Sequence, residues 1–248
     1  KIIMRIFGYI PSRMGSTRLP GKALKKINKK TLTEHVYSNM LRFKKWNSLE
    51  VAICDQEIKD LLISKKIPYV MTSKNHVRCL DRVCEAVQKN KRISKKDIIV
   101  CIQGDEIMVS ANMIKKLLIP FNNPKCNSTI LTMKIKEISE YKDKNVVKII
   151  TNNNGKVLIG SRSQLPHMSK FRKGIAKKII GVYAFRLRAL TKFKNTKQTY
   201  LEKIESCDTN RICETTSDMY AVDYPYKKII AIDTIQDLKK VRNIFSKI

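Results

Sequence analysis

Residues 2–22 read IIMRIFGYIPSRMGSTRLPGK and combine an apolar run with a basic loop. The apolar run at 2–10 predicts a buried strand that ends at Pro11. Gly15 and Gly21 allow tight backbone turns close to a ligand. The loop carries three cations that suit phosphate oxygens, Arg13, Arg18 and Lys22. A loop of this kind at the carboxyl end of a strand is where open α/β sheets bind nucleotides, although an ordinary basic surface loop is the alternative.

Strands and helices alternate outward from this loop, which predicts a largely parallel sheet with helices on both faces. Apolar runs predict strands at 49–54, 67–71 and 98–102. Apolar residues at helical spacing predict helices at 31–45, 56–65, 79–90 and 110–119. The 98–102 run is apolar throughout, as expected of a strand that is buried on both faces.

The second half of the chain is richer in predicted strands, which lie at 128–135, 146–151, 156–160 and 178–186. Asn152–Gly155 is a turn signal between two of them. A helix is predicted at 199–206, then a strand at 227–232 and a last helix from about 234, with Thr234 as its N-cap. We therefore predict one α/β domain over residues 1–248, with a β-rich insertion at about 128–205.

Two carboxylates follow predicted strands. Asp105 lies in Gln103-Gly104-Asp105-Glu106, just after the strand at 98–102, and Asp233 follows the strand at 227–232. If these strands belong to the same parallel sheet, the two side chains meet at one edge and suit a Mg²⁺ ion that bridges phosphate oxygens. The alternatives are a simple turn at Asp105 and a helix-capping acid at Asp233.

The chain of 248 residues has a net charge of +30, from 51 basic and 21 acidic side chains. The lysines are spread over the whole chain, which favours ordinary solvated faces over a nucleic acid, an anionic membrane or a polyanionic substrate. No nucleic-acid motif and no apolar stretch of about 20 residues is present, so we predict no specific nucleic-acid partner and no membrane insertion. Seven scattered cysteines without a CxxC pair predict reduced thiols in a cytoplasmic protein.

Nine segments, in order along the chain, resemble the signatures of the 3-deoxy-manno-octulosonate (Kdo) cytidylyltransferase family. They are IPSRMGSTRLPGKAL (10–24), VAICDQEI (51–58), TSKNHVRCLDR (72–82), IQGDEIM (102–108), NVVKII (145–150), GSRSQLPH (160–167), IIGVYAFR (179–186), LEKIE (201–205) and IDTIQDL (232–238). The resemblance implies a Rossmann-like nucleotidyltransferase fold, with a mixed, mostly parallel sheet flanked by helices. It also implies that the β-rich insertion is a dimerisation region and that the protein is a homodimer.

The resemblance further implies a reaction, in which CTP and an acidic 3-deoxy sugar give CMP-sugar and pyrophosphate for lipopolysaccharide or other surface-polysaccharide synthesis. Asp105 and Asp233 would hold Mg²⁺, the cofactor, and Arg18 and Lys22 would act with them as catalytic residues. The residues implied to bind the nucleotide are Pro11, Ser12, Arg13, Ser73, Arg82 and Gln103. The residues implied to bind the sugar are Gln103, Arg162, Tyr183 and Glu202.

Four segments depart from the family signatures. Arg78-Cys79-Leu80 replaces Ser-Gly-Thr in a segment that contacts the nucleotide in the family. Ile179 replaces a histidine, Gly160 an aromatic residue, and Glu205 an arginine, which reverses a charge. Two alternative hypotheses follow: activation of another ulosonic or amino-ulosonic acid, or a repurposed homologue that binds a nucleotide or a polyanion.

Overall fold

The computed structural model describes residues 4–215 and 219–247. Its strands are, in chain order, β1 Ile6–Pro11, β2 Lys26–Ile27, β3 Lys30–Thr31, β4 Ser48–Ile53, β5 Tyr69–Met71, β6 Ile98–Ile102, β7 Ser128–Lys134, β8 Lys148–Thr151, β9 Val157–Ser161, β10 Lys177–Arg186 and β11 Met219–Tyr224. Its α-helices are α1 Leu32–Met40, α2 Gln56–Ser64, α3 Cys79–Lys89, α4 Ala111–Leu118, α5 Ile138–Lys142, α6 Leu187–Asn195, α7 Tyr200–Glu205, α8 Asp208–Thr215 and α9 Ile235–Phe245. The fold is mixed α/β, as predicted.

The described chain divides into two compact units. The first unit contains the residues up to Asn112 and those from Lys228 onward, and the second is Met113–Lys227. The second unit thus interrupts the first in sequence, and the predicted insertion at 128–205 lies inside it.

The sheet of the first unit has the order β6-β1-β4-β5, and every neighbouring pair is parallel. All residues of β1 and β6 are buried, which matches their almost unbroken apolar sequences. Helix α3 packs on β1, β4 and β6. Because all four strands run in the same direction, their carboxyl ends lie at one edge of the sheet.

The sheet of the second unit is mixed. Strand β11 pairs with β7 in parallel, whereas β7, β10, β8 and β9 pair in sequence in antiparallel fashion. The turn predicted at Asn152–Gly155 joins β8 to β9, and Gly155 has the positive φ of 77° that the tight turn requires. This prediction is confirmed.

Most predicted elements are found, with the boundaries shifted by a few residues. Residues 2 and 3 of the first predicted strand lie outside the described residues. The helix predicted at 31–45 ends at Met40, because the Trp46 indole Nε1 donates to the Met40 carbonyl at 2.8 Å and the chain turns there. Thr234 caps α9 as predicted, since its hydroxyl accepts from the Asp237 N–H.

The strand predicted at 227–232 is wrong. The backbone of this segment bonds to the loop after β6, where Ile232 N donates to the Asp105 carbonyl at 3.1 Å. The sequence does not predict β11, which precedes this segment, or the two-residue strands β2 and β3. For β11 the reason is visible in its burial. Only two of its six residues are buried, so its apolar signal is weak.

Within residues 4–215 and 219–247, none of the helices combines the length and the hydropathy that crossing a bilayer would need.

Candidate active site

The basic loop after β1 is anchored at the carboxyl edge of the first unit's sheet. Ser12 N donates to the Ala52 carbonyl at the end of β4, and Met14 N donates to Asp55 Oδ2 at 2.9 Å. The loop then closes on itself, because Gly21 N donates to the Met14 carbonyl at 3.1 Å. Gly21 has a φ of 65°, which favours glycine, and a short 3-10 helix that starts at Lys22 follows it.

The loop after β6 touches the loop after β1 through Gly104. A Cβ atom added at Gly104 would lie 2.7 Å from the Pro11 carbonyl oxygen, so only glycine permits this close approach. The next residue, Asp105, accepts the backbone bond from Ile232, which brings Asp233 to the same place. Three segments that are remote in sequence therefore converge at the edge where the nucleotide site is predicted.

Four charged side chains of the first unit form a cluster at this point, which we call the charge cluster: Arg18, Lys22, Asp105 and Asp233. Lys22 Nζ lies 2.7 Å from Asp105 Oδ2 and 3.0 Å from Asp233 Oδ1, and it donates to the Ile232 carbonyl at 3.2 Å. Arg18 contacts Asp233 Oδ1 at 2.9 Å. The structure thus brings together the four residues for which the family resemblance implies a catalytic role.

The electrostatics of the charge cluster keep Lys22 protonated. Burial disfavours the ammonium, but the carboxylates of Asp105 and Asp233 outweigh it and raise the pKa of Lys22. The side chains of Lys22, Asp105 and Asp233 are only 18–19% exposed. Interactions between these charges are therefore stronger than on an open surface.

The two carboxylates fit a magnesium ion. Asp105 Oδ1 is buried and has no hydrogen-bond partner among the described residues. A buried carboxylate oxygen in that state is an available hard ligand. The described part of the chain has no group of three or more metal-binding His, Cys, Asp or Glu side chains. A site with two carboxylates still suits Mg²⁺, which commonly takes one or two carboxylates together with substrate phosphates and waters.

A second polar network in the first unit involves predicted nucleotide-binding residues. The buried Arg82 guanidinium donates to Thr72 Oγ1 and to the Ser73 carbonyl. Ser73 N donates to Glu85 Oε2 at 2.9 Å.

Glu85 itself, which the sequence analysis did not single out, gathers several donors. Besides Ser73 N, it accepts from His76 Nε2 and from Lys89 Nζ. Burial opposes ionisation of Glu85, but these hydrogen bonds prevail and lower its pKa to about 2. Arg13 joins this region, because its guanidinium donates to the His76 carbonyl at 3.3 Å.

The predicted sugar-binding residues Arg162, Tyr183 and Glu202 all belong to the second unit. Arg162 donates to the carbonyls of Glu205 at 2.9 Å and Lys144 at 3.0 Å. The Tyr183 ring is buried and stacks on Phe185, with 6.3 Å between the ring centroids. Neither observation tests sugar binding, which stays a prediction for Arg162 and Tyr183.

The third of these residues, Glu202, lies in a buried ion pair. Its side chain is fully buried, and both carboxylate oxygens accept from the Arg211 guanidinium, at 2.6 and 2.7 Å. Arg211 in turn lies over the Phe193 ring at 4.0 Å. Glu202 thus stabilises the packing of α7 against α8, and its contact with the sugar stays a prediction.

Comparisons with known proteins give a consistent result. The cytidylyltransferase family profile matches residues 8–229. The 3-deoxy-manno-octulosonate cytidylyltransferase of Lawsonia intracellularis is 33% identical over 97% of this chain and 94% of its own length. The enzyme of that name from Fusobacterium nucleatum is 33% identical over 97% and 96%. The chain belongs to the 3-deoxy-manno-octulosonate cytidylyltransferase family.

Solved structures agree with membership of the 3-deoxy-manno-octulosonate cytidylyltransferase family. A CMP:2-keto-3-deoxy-manno-octonic acid synthetase complexed with CTP matches with a TM-score of 0.87 and 26% identity, over 98% of this chain and 99% of that one. A cytidylyltransferase from Leptospira borgpetersenii matches with a TM-score of 0.64 at 18% identity, over 99% and 88%, which shows the same fold.

The first departure from the family signatures lies beside a predicted nucleotide-binding residue. Arg78-Cys79-Leu80 forms the start of α3, and Gln103 Nε2 donates to Cys79 Sγ at 3.4 Å. The altered segment therefore keeps a contact with the loop after β6, through a thiol at the position where the family has a glycine.

The reversed charge at Glu205 has a structural explanation. Its carboxylate accepts from Ser161 Oγ at 2.6 Å and from Arg162 N at 2.8 Å, so it anchors the end of β9. The fully buried Lys148 ammonium supports the same segment, because it donates to the carbonyls of Asp143, Val146 and Arg162. The sequence pattern NVVKII gave no sign that its lysine points inward.

Proposed function

We propose that the chain transfers CMP from CTP to 3-deoxy-manno-octulosonate and releases pyrophosphate. The observation that carries the proposal is the charge cluster, two cations and two carboxylates at the carboxyl edge of the first unit's parallel sheet. Family membership supplies the identity of the reactants, and the likeness to a synthetase complexed with CTP supports the nucleotide.

The cations of the loop after β1 would bind the triphosphate. Arg18 and Lys22 are held at one point by their carboxylate partners, and Arg13 is held by the His76 carbonyl. Three cations in fixed positions orient the phosphates and offset their charge. Nucleotidyl transfer depends mainly on such positioning and charge neutralisation, so it needs no nucleophile from the protein.

Asp105 and Asp233 would hold Mg²⁺, which, when bound, offsets phosphate charge and lowers the pKa of a hydroxyl that it binds. In the transfer, the anomeric hydroxyl oxygen of the sugar forms a bond to the α-phosphorus of CTP. The bond from that phosphorus to the bridging oxygen breaks, and pyrophosphate leaves with the electron pair. The sugar hydroxyl gives its proton to solvent water, and Lys22 and Arg18 stabilise the charge on the phosphate oxygens.

Kdo is favoured over another ulosonic acid. The reversed charge at Glu205 is one of the departures that raise the alternative of a different sugar, and Glu205 bonds internally to Ser161 and Arg162. Its charge therefore has a role within the protein and does not indicate a change of substrate. Arg162 remains the predicted contact for the sugar carboxylate.

We also propose a cytoplasmic homodimer that serves lipopolysaccharide or other surface-polysaccharide synthesis. The seven free cysteines support a reducing compartment. The dimer and the pathway rest on the family resemblance alone.

The experiment is a pyrophosphate-release assay on the purified protein with CTP, Mg²⁺ and a panel of acidic sugars that includes Kdo and 8-amino-Kdo. We expect release with Kdo and CTP, little with ATP, GTP or UTP, and none after chelation of the metal. Release with another sugar but not with Kdo would show that the other sugar is the substrate. No release with any sugar, from folded protein that binds CTP, would overturn the enzyme assignment.

A further inference from the structure

The ammonium of Lys22 lies where the metal ion of the proposed function would be held. It contacts one oxygen of Asp105 and one of Asp233, at 2.7 and 3.0 Å, and the Ile232 carbonyl at 3.2 Å. An ammonium has three N–H donors, and here three oxygens accept them. Lys22 thus neutralises both carboxylates with a charge that belongs to the chain.

A divalent cation placed beside this ammonium would be repelled by its positive charge. Two like charges a few ångströms apart repel, and the repulsion is large in a partly buried site. Arg18 adds a second positive charge on the same oxygen of Asp233. The two carboxylates are therefore balanced by two cations, so they have little net charge left to attract a metal ion.

We infer that Lys22 is an internal counter-ion of the metal site, and that Mg²⁺ binds to Asp105 and Asp233 strongly only after a triphosphate has drawn Lys22 away. The inference rests on the proposed function, since it takes CTP and Mg²⁺ as the ligands. Nucleotide and metal binding then depend on each other. By thermodynamic linkage, the nucleotide raises the affinity for the metal by the same factor as the metal raises the affinity for the nucleotide.

Lys22 is built to make this exchange. Its side chain is 18% exposed, and its long, flexible stem lets the ammonium change partners without backbone movement. This remaining exposure lets a ligand reach the ammonium from solvent. Phosphate oxygens of CTP offer Lys22 an alternative partner of higher charge, and Asp105 keeps a second oxygen, Oδ1, for the metal.

The test measures Mn²⁺ binding, as a probe for Mg²⁺, by electron paramagnetic resonance without nucleotide. We expect weak binding to the unmodified protein and binding that is about 5- to 150-fold tighter in Lys22→Met, the range of a typical coupling between two ligands. The matched control is Lys25→Met. It removes the same charge from an exposed side chain that lies three residues after Lys22. It should bind Mn²⁺ like the unmodified protein.

Lys22→Gln is the second variant, because it keeps a polar side chain and removes only the charge. Circular dichroism melting shows whether each variant is folded. Tight Mn²⁺ binding to the unmodified protein without nucleotide, or equal affinities of the folded Lys22 variants and Lys25→Met, would overturn the inference alone. Extra binding in Lys22→Met that survives Asp105→Asn would overturn the metal assignment in the proposed function as well. Since the measurement involves no sugar and no turnover, it is independent of catalytic activity.

Discussion

The two units use charge in opposite ways. In the first unit, Lys22 is paired with Asp105 and Asp233 in a site that keeps some exposure to solvent. In the second unit, Glu202 and Arg211 are paired with 0% and 3% of their side chains exposed. The first cluster joins segments that are 83 and 211 residues apart, whereas the second joins two consecutive helices over nine residues. We expect only the first to exchange its partners for a ligand.

The difference between the two clusters is one of solvation. A fully desolvated pair is fixed, because separating it leaves an isolated buried charge that costs several kcal/mol. A pair that keeps access to solvent can be exchanged, since a ligand of higher charge can reach either partner and replace the other. The number of charged residues in a segment therefore does not identify a binding site, whereas their remaining access to solvent does.

The largest expected effect is on catalysis in the charge cluster. Asp105→Ala should lower the rate of pyrophosphate release about 10³-fold, which corresponds to about 4 kcal/mol of lost transition-state stabilisation. The melting temperature should change little, because the pair that is lost is one that a ligand exchanges. An activity within tenfold of the unmodified protein would show that Asp105 is not part of the catalytic site.

The fixed pair should give the reverse result. Glu202→Gln should lower the free energy of unfolding by about 3 kcal/mol, because Arg211 is left as a buried charge without a carboxylate. Urea denaturation measures this, with the exposed Glu57→Gln on α2 as the control. If stability instead changes by less than about 1 kcal/mol, well below the cost of an unpaired buried charge, and the KM for the sugar rises, then Glu202 binds substrate and the comparison between the units fails.

Glu85 is an intermediate case, with a side chain that is 22% exposed and several donors around it. Its pKa of about 2 lies below its ordinary value of 4.5, so its contribution to stability is complete above pH 4.5 and is lost as the pH falls toward 2. Glu85→Gln should therefore cost about 1.5 kcal/mol at pH 7, after allowance for solvent screening.

Urea denaturation at pH 7, 5, 4 and 3 measures the effect at Glu85. The stability difference between Glu85→Gln and the unmodified protein should shrink over the last two steps, while that of Glu57→Gln stays flat. A difference independent of pH would mean that the Glu85 charge contributes nothing.

The smallest expected effect is at the cap that precedes α9. Thr234→Ala should cost about 1 kcal/mol of stability, because the Asp237 N–H loses its acceptor. Thr234 follows Asp233, so the variant also tests whether the Asp233 carboxylate needs the capped start of α9 to hold its position. We expect a loss of pyrophosphate release of less than tenfold, a factor that corresponds to 1.4 kcal/mol. A loss as large as that of Asp105→Ala would show that the cap sets the position of Asp233.

The sequence predicted the first unit better than the second, for physical reasons. Strand β6 was predicted at its exact residues because all five are buried and apolar. Helix α8 was missed because its buried face is largely polar: Asn210 bonds to both the N–H and the carbonyl of Gly160, and Arg211 pairs with Glu202. Apolar periodicity cannot reveal a helix that is held by polar contacts.

The sequence predicts which residues form the charge cluster, but it does not predict which of their side chains contact each other. The rule that carboxyl ends of parallel strands share an edge placed Asp105 correctly. It placed Asp233 near Asp105 although the segment before it is not a strand. The pairing of Lys22 with Asp233, 211 residues apart, depends on side-chain positions that no local pattern encodes.

Gly104 sets the distance between the two loops that carry the catalytic charges. Its Cα hydrogen faces the Pro11 carbonyl, where a methyl group would lie only 2.7 Å away. The smallest possible substitution, Gly104→Ala, would therefore push the two loops apart and move Asp105 away from Lys22, although neither charged residue is itself substituted. Gly104 is therefore the position at which the site can be inactivated without a change to any charged residue.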